Sequence, residues 1–308
     1  MMSSTLKKGI YFALITALIS GVSNFVNKIA VDVIKPPLVF TAEKNAFVGL
    51  LIIGALIATW KWQKVKKLNR KQVIYLLLIG IIGGSLPFYL FFTGLSQIPA
   101  INGAIINKTL VIWVAILAIP FLKEKMSPLL MIAVAFLFYA NLIIGGFAKF
   151  QFSEGELFVL MATILWAVEH VLAKKILPNV DPDIVTAARM GFGSLILLGA
   201  AAVVAPVALV KGFMPTGTQF FWMTTTVILL LGYVTTWYRA LKFAPVTVVA
   251  SVLVSATLIT NVLSAIFVTH AWTFALGIQA FFTVVGISLL WIAISRTKPS
   301  PSLKQSFV

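Results

Sequence analysis

The chain has no cysteine, two histidines and eight acidic residues in 308. The lack of cysteine excludes disulfide scaffolds, thiol nucleophiles and cysteine-ligated metals. Charged residues make up 10% of the chain, against roughly 25% in an ordinary soluble protein, while 60% of residues are hydrophobic and the mean hydropathy is +1.05. So little polar surface predicts a protein whose solvent is a lipid bilayer.

Several enzyme motifs are also missing. No Walker A loop, HExxH or GxSxG pattern occurs in the sequence. The sequence therefore lacks the motifs that usually bind ATP in pumps and that carry out hydrolysis in metalloproteases and serine hydrolases. We expect a protein without enzymatic activity, with no cofactor and no metal site.

Ten apolar stretches are each long enough to cross a bilayer as a helix, which needs about 20 residues. They are continuous rather than alternating, so the sequence predicts an all-α polytopic membrane protein and not a β-barrel. The first is read as a retained helix because no small-residue cleavage site follows it. The predicted spans 1 to 10 cover residues 9–29, 38–59, 73–95, 100–121, 128–147, 156–176, 184–210, 219–240, 245–268 and 272–295.

Basic residues are distributed unequally between the two sides of the predicted membrane. With a cytoplasmic N-terminus, 17 lysines and arginines fall on the cytoplasmic side and only Lys35, Lys149 and Lys211 on the outer side. This bias predicts that both termini are cytoplasmic. It also explains most of the net charge of +16 through contact with anionic lipid, so we expect no nucleic-acid partner. The predicted location is the plasma or inner membrane of a bacterium or archaeon.

The second half of the sequence aligns on the first with a constant shift of 146 residues and no gaps. Prolines at two loops stay in register: Pro36 with Pro182 and Pro99 with Pro245. Each half, residues 1–149 and 150–308, contains five predicted spans, so the second half enters the membrane from the opposite side. Inverted repeats of this kind are typical of transporters with a site near the bilayer midplane.

The five-plus-five arrangement, the proline that opens the fourth span of each half and the glutamate in PFLKEKMSP (residues 120–128) resemble the EamA family of the drug/metabolite transporter superfamily. The resemblance covers residues 9–295. It implies a central cavity lined by the first four helices of each half, with the fifth helix peripheral. It also implies movement of small metabolites, commonly outward.

Two positions depart from the family pattern. Arg189 fits a basic residue early in the second helix, but its first-half counterpart is Glu43; Glu124 fits the closing glutamate, but its counterpart is His270. Because the charges of the two halves differ, the resemblance does not transfer a substrate.

Polar residues of span 1 share one helical face: Ser20, Ser23, Asn24, Asn27 and Lys28. The shift of 146 turns this face into Trp166, Glu169, His170, Ala173 and Lys174. Ionisable residues at membrane depth are costly and usually face a wet interior. We therefore expect both stripes to face the cavity, although Lys28 and Lys174 could instead extend to the interface, and Glu169 and His170 could form a structural hydrogen bond between helices.

Lys108 lies about two turns into span 4, above Asn102. It can pair with Glu43 or Glu169, or it can receive an anionic group of a substrate. Glu43 and Lys44 are adjacent in span 2, and adjacent helix positions point about 100° apart, so the two cannot both face the cavity. Pro87 should kink or break span 3 and leave backbone groups near the cavity.

We interpret the protein as a secondary transporter, and specifically an exporter, of amino acids or related carboxylates, acting as a monomer by alternating access. The predicted substrate-binding residues are Lys108, Asn24, Asn102, Trp166, His170, Tyr89, Trp237, Thr257 and Asn261. The predicted coupling or gating residues, with protons as a candidate coupling ion, are Glu169, Glu43, Lys28 and Arg189. Alternatives are an exporter of cationic drugs or polyamines, a channel or receptor, and an enzyme acting on lipid.

Overall fold

The computed structural model describes residues 3–145 and 153–296. Within these ranges nine helices are long and apolar enough to cross a bilayer, and a shorter apolar helix occupies predicted span 5. The described chain contains no β-strand, which confirms the all-α membrane architecture. The spans are Ser4–Val33, Pro37–Ala58, Arg70–Gly84 with Leu86–Leu95, Ala100–Lys108 with Leu110–Leu122, Pro128–Gly145, Glu154–Ile176, Pro182–Val204, Gly217–Phe243, Val246–Val254 with Ala256–Ser264, and Phe274–Arg296.

Span 7 is shorter than predicted. Its helix ends at Val204 instead of residue 210, and Pro206–Gly212 forms a separate short helix. Pro206 has no amide hydrogen to continue the helical ladder, and the ring clashes with the preceding turn. The apolar residues on both sides of Pro206 led to the prediction of one continuous span, although this proline marked the break.

Span 3 is interrupted at Ser85, as the position of Pro87 predicts. In an α-helix the amide of residue 87 would donate to the carbonyl of Gly83, and proline has no such amide. The carbonyl of Gly83 instead accepts hydrogen bonds from Trp166 Nε1 at 3.3 Å and Arg189 Nε at 3.4 Å. The break thus ties span 3 to spans 6 and 7.

Spans 4 and 9 are interrupted at Thr109 and Ser255, which are 146 residues apart. Each hydroxyl donates to the carbonyl three residues earlier, Thr109 to Ile106 at 2.6 Å and Ser255 to Val252 at 2.7 Å. Such bonds tighten a helical turn locally. The two halves therefore carry the same local distortion at the same position.

The first helices of the two halves run in opposite directions. Gly9, near the start of span 1, packs against Ala244. The carbonyl of Ala244 accepts a hydrogen bond from Lys174, near the end of span 6. The start of the first half thus lies beside the end of span 6, which gives the inverted relation. We call this end of the bundle proximal and the end at Val33 distal.

Close packing of spans 3 and 7 depends on two glycines. A β-carbon added to Gly193 would lie 2.6 Å from the backbone of Gly84. In a bilayer the hydrophobic effect does not drive helices together, so close van der Waals packing stabilises their contact, and glycines allow the two backbones to approach. The predicted boundary between residues 149 and 150 lies outside the described residues, and that division stays a prediction.

Candidate functional site

A central cavity of about 710 Å³ lies between the two halves. Every half contributes to its wall from its first four spans, and span 5 adds Asn141. The sequence analysis missed Asn141 because the fifth helix was expected to be peripheral. The polar lining residues are Ser20, Ser23, Asn24, Asn27, Lys28, Thr41, Lys44, Asn45, Asn107, Lys108, Asn141, His170, Arg189, Tyr233 and Thr257.

The charge of this wall has one sign. Its lining includes Lys28, Lys44, Lys108 and Arg189, and within residues 3–145 and 153–296 it includes no aspartate or glutamate. Aromatic rings also face the cavity: Phe88 and Phe91 lie 5.2 Å and 5.4 Å from Trp166, measured between ring centroids. The wall can therefore receive an anionic group and an apolar or aromatic body together.

Two lysines of the first half are held by neutral oxygens. Lys44 Nζ donates to Asn27 Oδ1 at 3.0 Å and lies 4.4 Å from the centre of the Phe40 ring. Lys108 Nζ donates to the carbonyl of Asn141 at 2.9 Å. The alternative in which Lys108 pairs with Glu43 or Glu169 is wrong, since no such ion pair forms in the described chain.

The expectation for span 2 is confirmed, because Glu43 and Lys44 face different spaces. Lys44 lines the central cavity, whereas Glu43 lines a second pocket. The sequence alone could not decide which of the two faced the cavity. Lys44 was therefore absent from the predicted site.

Behind the cavity wall lies a buried cluster around Glu169. Glu169 Oε1 accepts from the Tyr238 hydroxyl at 2.6 Å, and Oε2 lies 2.7 Å from His170 Nδ1. The Arg189 guanidinium interacts electrostatically with the same carboxylate. Glu169 is 0% exposed, so it does not itself line the cavity, whereas His170 and Arg189 do.

Four predicted substrate residues do not line the cavity. Asn102 is buried and donates to Glu156 at 2.8 Å, and Asn261 donates to Gln279 at 3.0 Å. Trp237 is fully buried, 4.6 Å from the His170 ring, and Tyr89 is 40% exposed outside the lining. Each of these residues lies on a span that lines the cavity, but its side chain is on a helix face that does not line it. The sequence could not show this, because the contacts that fix the orientation of these side chains include residues from other helices.

The second stripe faces the cavity only in part. Trp166 and His170 line it, but Lys174 Nζ donates to the carbonyls of Leu241 and Ala244 at 2.6 Å and 2.7 Å. Lys174 thus donates hydrogen bonds to free carbonyls at the C-terminal end of span 8, where the helix dipole favours a cation. Of the remaining predicted residues, Asn24, Lys28 and Thr257 line the cavity.

The proximal end is closed by ion pairs between the two halves. Lys64 Nζ lies 2.8 Å from Asp181, and Lys61 bonds to Asp183. Within the second half, Arg239 lies 2.7 Å from the same Asp183. The hydrogen bond to Asp183 raises the pKa of the Lys61 ammonium above its ordinary value of 10.5. By contrast, Asn24 and Lys28 in the distal half of span 1 are exposed, so the cavity is accessible from the distal end.

A second closure at the proximal end involves Glu124. Its carboxylate accepts from the amides of Val246 and Thr247 at 2.7 Å and 3.2 Å, and from the Thr247 hydroxyl at 2.7 Å. A carboxylate satisfies unpaired amides at a helix start and complements the helix dipole. Glu124 therefore fastens span 4 to the beginning of span 9.

A distal pocket of about 1110 Å³ lies between span 2, the short helix Pro206–Gly212 and span 8. Its wall is mainly apolar and includes exposed Phe47, Met214 and Phe220. The Glu43 carboxylate is buried beside Gly212 and has no hydrogen-bond partner in the described structure. This pocket is the larger one, but its exposed apolar wall fits lipid tails better than a polar metabolite.

Two segments of the chain, residues 7–146 and 153–295, match the model of the EamA-like transporter family. An uncharacterized transporter of Synechocystis is 25% identical over 63% of this chain, and the match spans 61% of that relative, less than two thirds. An uncharacterized transporter of Archaeoglobus fulgidus is 26% identical over 79% of this chain and 86% of its own length. A solved structure described as a crystal structure of a protein matches the fold, with a TM-score of 0.79 and 16% identity over 97% of this chain and 100% of that one.

Proposed function

Because the chain belongs to the EamA-like transporter family, we propose that it is a secondary transporter of small organic anions, such as amino acids or related carboxylates. The proposal depends on one observation: the described wall of the central cavity carries four cationic side chains and no carboxylate. A volume of about 710 Å³ is suitable for a small metabolite.

In the proposed mechanism, Lys108 binds the substrate carboxylate, and Asn24 and Thr257 bind its other polar groups. The rings of Phe88, Phe91 and Trp166 pack against the body of the substrate. Alternating access then opens the proximal end, where ion pairs now join the two halves, and closes the distal end. With the proximal end in the cytoplasm, as the basic residues predict, the protein exports its substrate across the plasma membrane as a monomer.

The buried Glu169–His170 pair is the proposed proton-coupling site. His170 lies at the cavity wall and contacts a carboxylate that has no exposure. Because this pair adjoins the proposed anion site, proton binding here can respond to the substrate anion. Replacing His170 by Gln should remove the dependence of uphill transport on a pH gradient while leaving substrate exchange measurable.

The first test is ligand-induced thermal stabilisation of the purified protein. The panel contains amino acids, dicarboxylates, nucleotide sugars, polyamines and cationic drugs, with Lys108→Ala and the control Lys35→Ala, which lies in the distal pocket. A ligand at 100 times its dissociation constant adds about 2.7 kcal/mol to the folded state. Stabilisation by carboxylates that disappears only in Lys108→Ala supports the proposal, and saturable counterflow in liposomes excludes a channel.

A second candidate, an exporter of cationic drugs or polyamines, depends on Glu43. This carboxylate is buried beside the distal pocket without a hydrogen-bond partner in the part of the chain that the structure describes. If the panel identifies cations, and Glu43→Gln removes their effect while Lys108→Ala does not, the cation exporter replaces the anion transporter. An enzyme acting on lipid would require turnover that is lost in Glu169 or His170 variants, and we expect none.

A further inference from the structure

The four cationic side chains of the central cavity differ in whether a carboxylate balances their charge. Arg189 interacts electrostatically with the buried Glu169 carboxylate, although no ion pair within 4.0 Å joins the two in the described chain, and Lys28 is exposed at the distal side of the cavity. Lys44 is buried and Lys108 is half-buried, and among the described residues neither has a carboxylate within 4.0 Å or interacts electrostatically with one. An ammonium group removed from water without a counter-charge is costly. The cavity therefore contains two positive charges that the described chain does not balance.

The two ammonium groups are held on different spans by different neutral partners. Asn27 of span 1 fixes Lys44, and Asn141 of span 5 fixes Lys108. Each contact uses one of the three donors of an ammonium group. The remaining donors are available to a ligand, and the neutral acceptors hold the charges in place without neutralising them. This arrangement provides two separate anion-binding positions in one cavity.

The same cavity also presents aromatic rings to a ligand. Phe40 lies beneath Lys44, and Phe88, Phe91 and Trp166 also line the cavity. A monoanion would neutralise one ammonium and leave the other without a counter-charge. A molecule with an acidic group at each end and an apolar body between them would satisfy both lysines and contact the rings.

We propose that the ligand of this cavity is an organic dianion whose two acidic groups bind Lys44 and Lys108 simultaneously. The inference depends on the proposed anion transport and specifies its substrate class. Each acidic group forms a charge-assisted hydrogen bond with its lysine, which is stronger than a bond between neutral groups. The dianion thus binds more tightly than the same molecule with one acidic group made neutral.

The experiment compares glutarate with its monoamide, which has nearly the same shape and one charge fewer, by calorimetric titration of the purified full-length protein. Adipate and its monoamide provide a second length. The dianions should bind about 10- to 100-fold more tightly than their monoamides, the ratio expected for one charge-assisted hydrogen bond. In Lys44→Gln and in Lys108→Gln this ratio should fall to about 1, whereas Lys44→Arg and the distal-pocket variant Lys35→Gln should retain the preference.

Other outcomes separate this inference from the proposed function. Equal binding of dianions and monoamides by the unmodified protein contradicts the inference of a dianionic ligand but is compatible with the proposed anion transport. Binding of no organic anion at either length, together with no counterflow, overturns both. If the glutamine variants do not fold, as judged by size-exclusion chromatography, the ratio measured on the unmodified protein decides the question alone.

Discussion

The contact between spans 3 and 7 and its counterpart between spans 8 and 2 differ in how closely the backbones approach. The first crossing has Gly84 against Gly193, and the shift of 146 residues replaces these glycines by Leu230 and Phe47. The glycine crossing is closed, whereas Phe47 lines the distal pocket between spans 2 and 8. The difference shows that one repeated scaffold can be closed on one side and open on the other through a few side-chain volumes.

Charge separates the two halves further. The first half supplies Lys28, Lys44 and Lys108 to the cavity, and the shift replaces the last two by Met190 and Val254. The second half supplies Arg189 and His170, supported by the buried Glu169. The comparison shows cavity lysines without a carboxylate partner in the described first half, and in the second half a cluster in which Arg189 and His170 interact with the Glu169 carboxylate.

The largest expected effect comes from removing the centre of that cluster. Glu169→Ala should lower the free energy of unfolding by about 3–5 kcal/mol, because it removes the contacts of the buried carboxylate with Tyr238 and His170 and its electrostatic interaction with Arg189. The matched change in the first half, Ser23→Ala, should cost about 1 kcal/mol or less. Thermal unfolding in detergent measures both, and equal losses would contradict the assignment of paired charge to the second half.

The glycine crossing gives the next effect. Gly84→Ala places a methyl group against the Arg189 carbonyl and the backbone of Gly193, and such overpacking should cost about 1–3 kcal/mol. Gly199→Ala in span 7 is the control, because no atom lies within 4 Å of the added β-carbon. An unchanged melting temperature for Gly84→Ala would show that spans 3 and 7 separate more easily than their contact suggests.

The two ends of spans 4 and 9 allow a third test. Glu124→Gln should destabilise the protein by about 1–2 kcal/mol, since the neutral amide loses charge-assisted bonds to the start of span 9. Its counterpart His270 is exposed, so His270→Gln should change stability by less than about 0.5 kcal/mol. Denaturation midpoints of the two variants provide the comparison. Similar shifts would contradict a stabilising role of Glu124 at the start of span 9.

The smallest effect concerns pH at the proximal end. Burial raises the pKa of Asp181, but the hydrogen bond from Lys64 and the neighbouring cations outweigh it and lower the pKa below 3.8. A lowered folded-state pKa means that this stabilisation is present above the unfolded value and is lost as the pH falls through the folded one. The melting temperature should therefore fall slightly below about pH 4, and less so in Asp181→Asn. If the melting temperature of the variant fell with pH in the same way as that of the unmodified protein, Asp181 would not contribute to the stability of the proximal end.

Hydrophobicity and proline positions sufficed to predict most of the fold. Both Pro99 and Pro245 directly precede the helices of spans 4 and 9, and Pro87 predicted the break in span 3. The Thr109 and Ser255 interruptions were not predictable, because threonine and serine are common inside membrane helices and only a local hydrogen bond distinguishes these two. Asn102 and Lys108 show the limit for the site: the sequence placed both on span 4, but their contacts with Glu156 and Asn141 come from distant segments.

The origin of all three cavity lysines in the first half has a consequence for the membrane voltage. An elementary charge moved across 100 mV does about 2.3 kcal/mol of electrical work. Any rearrangement that moves Lys28, Lys44 and Lys108 through part of this field is therefore voltage-dependent when the cavity is empty. In the proposed transport cycle, a bound dianion cancels two of these three lysine charges, so the voltage acts mainly on the return of the empty protein and limits how often the cycle can restart.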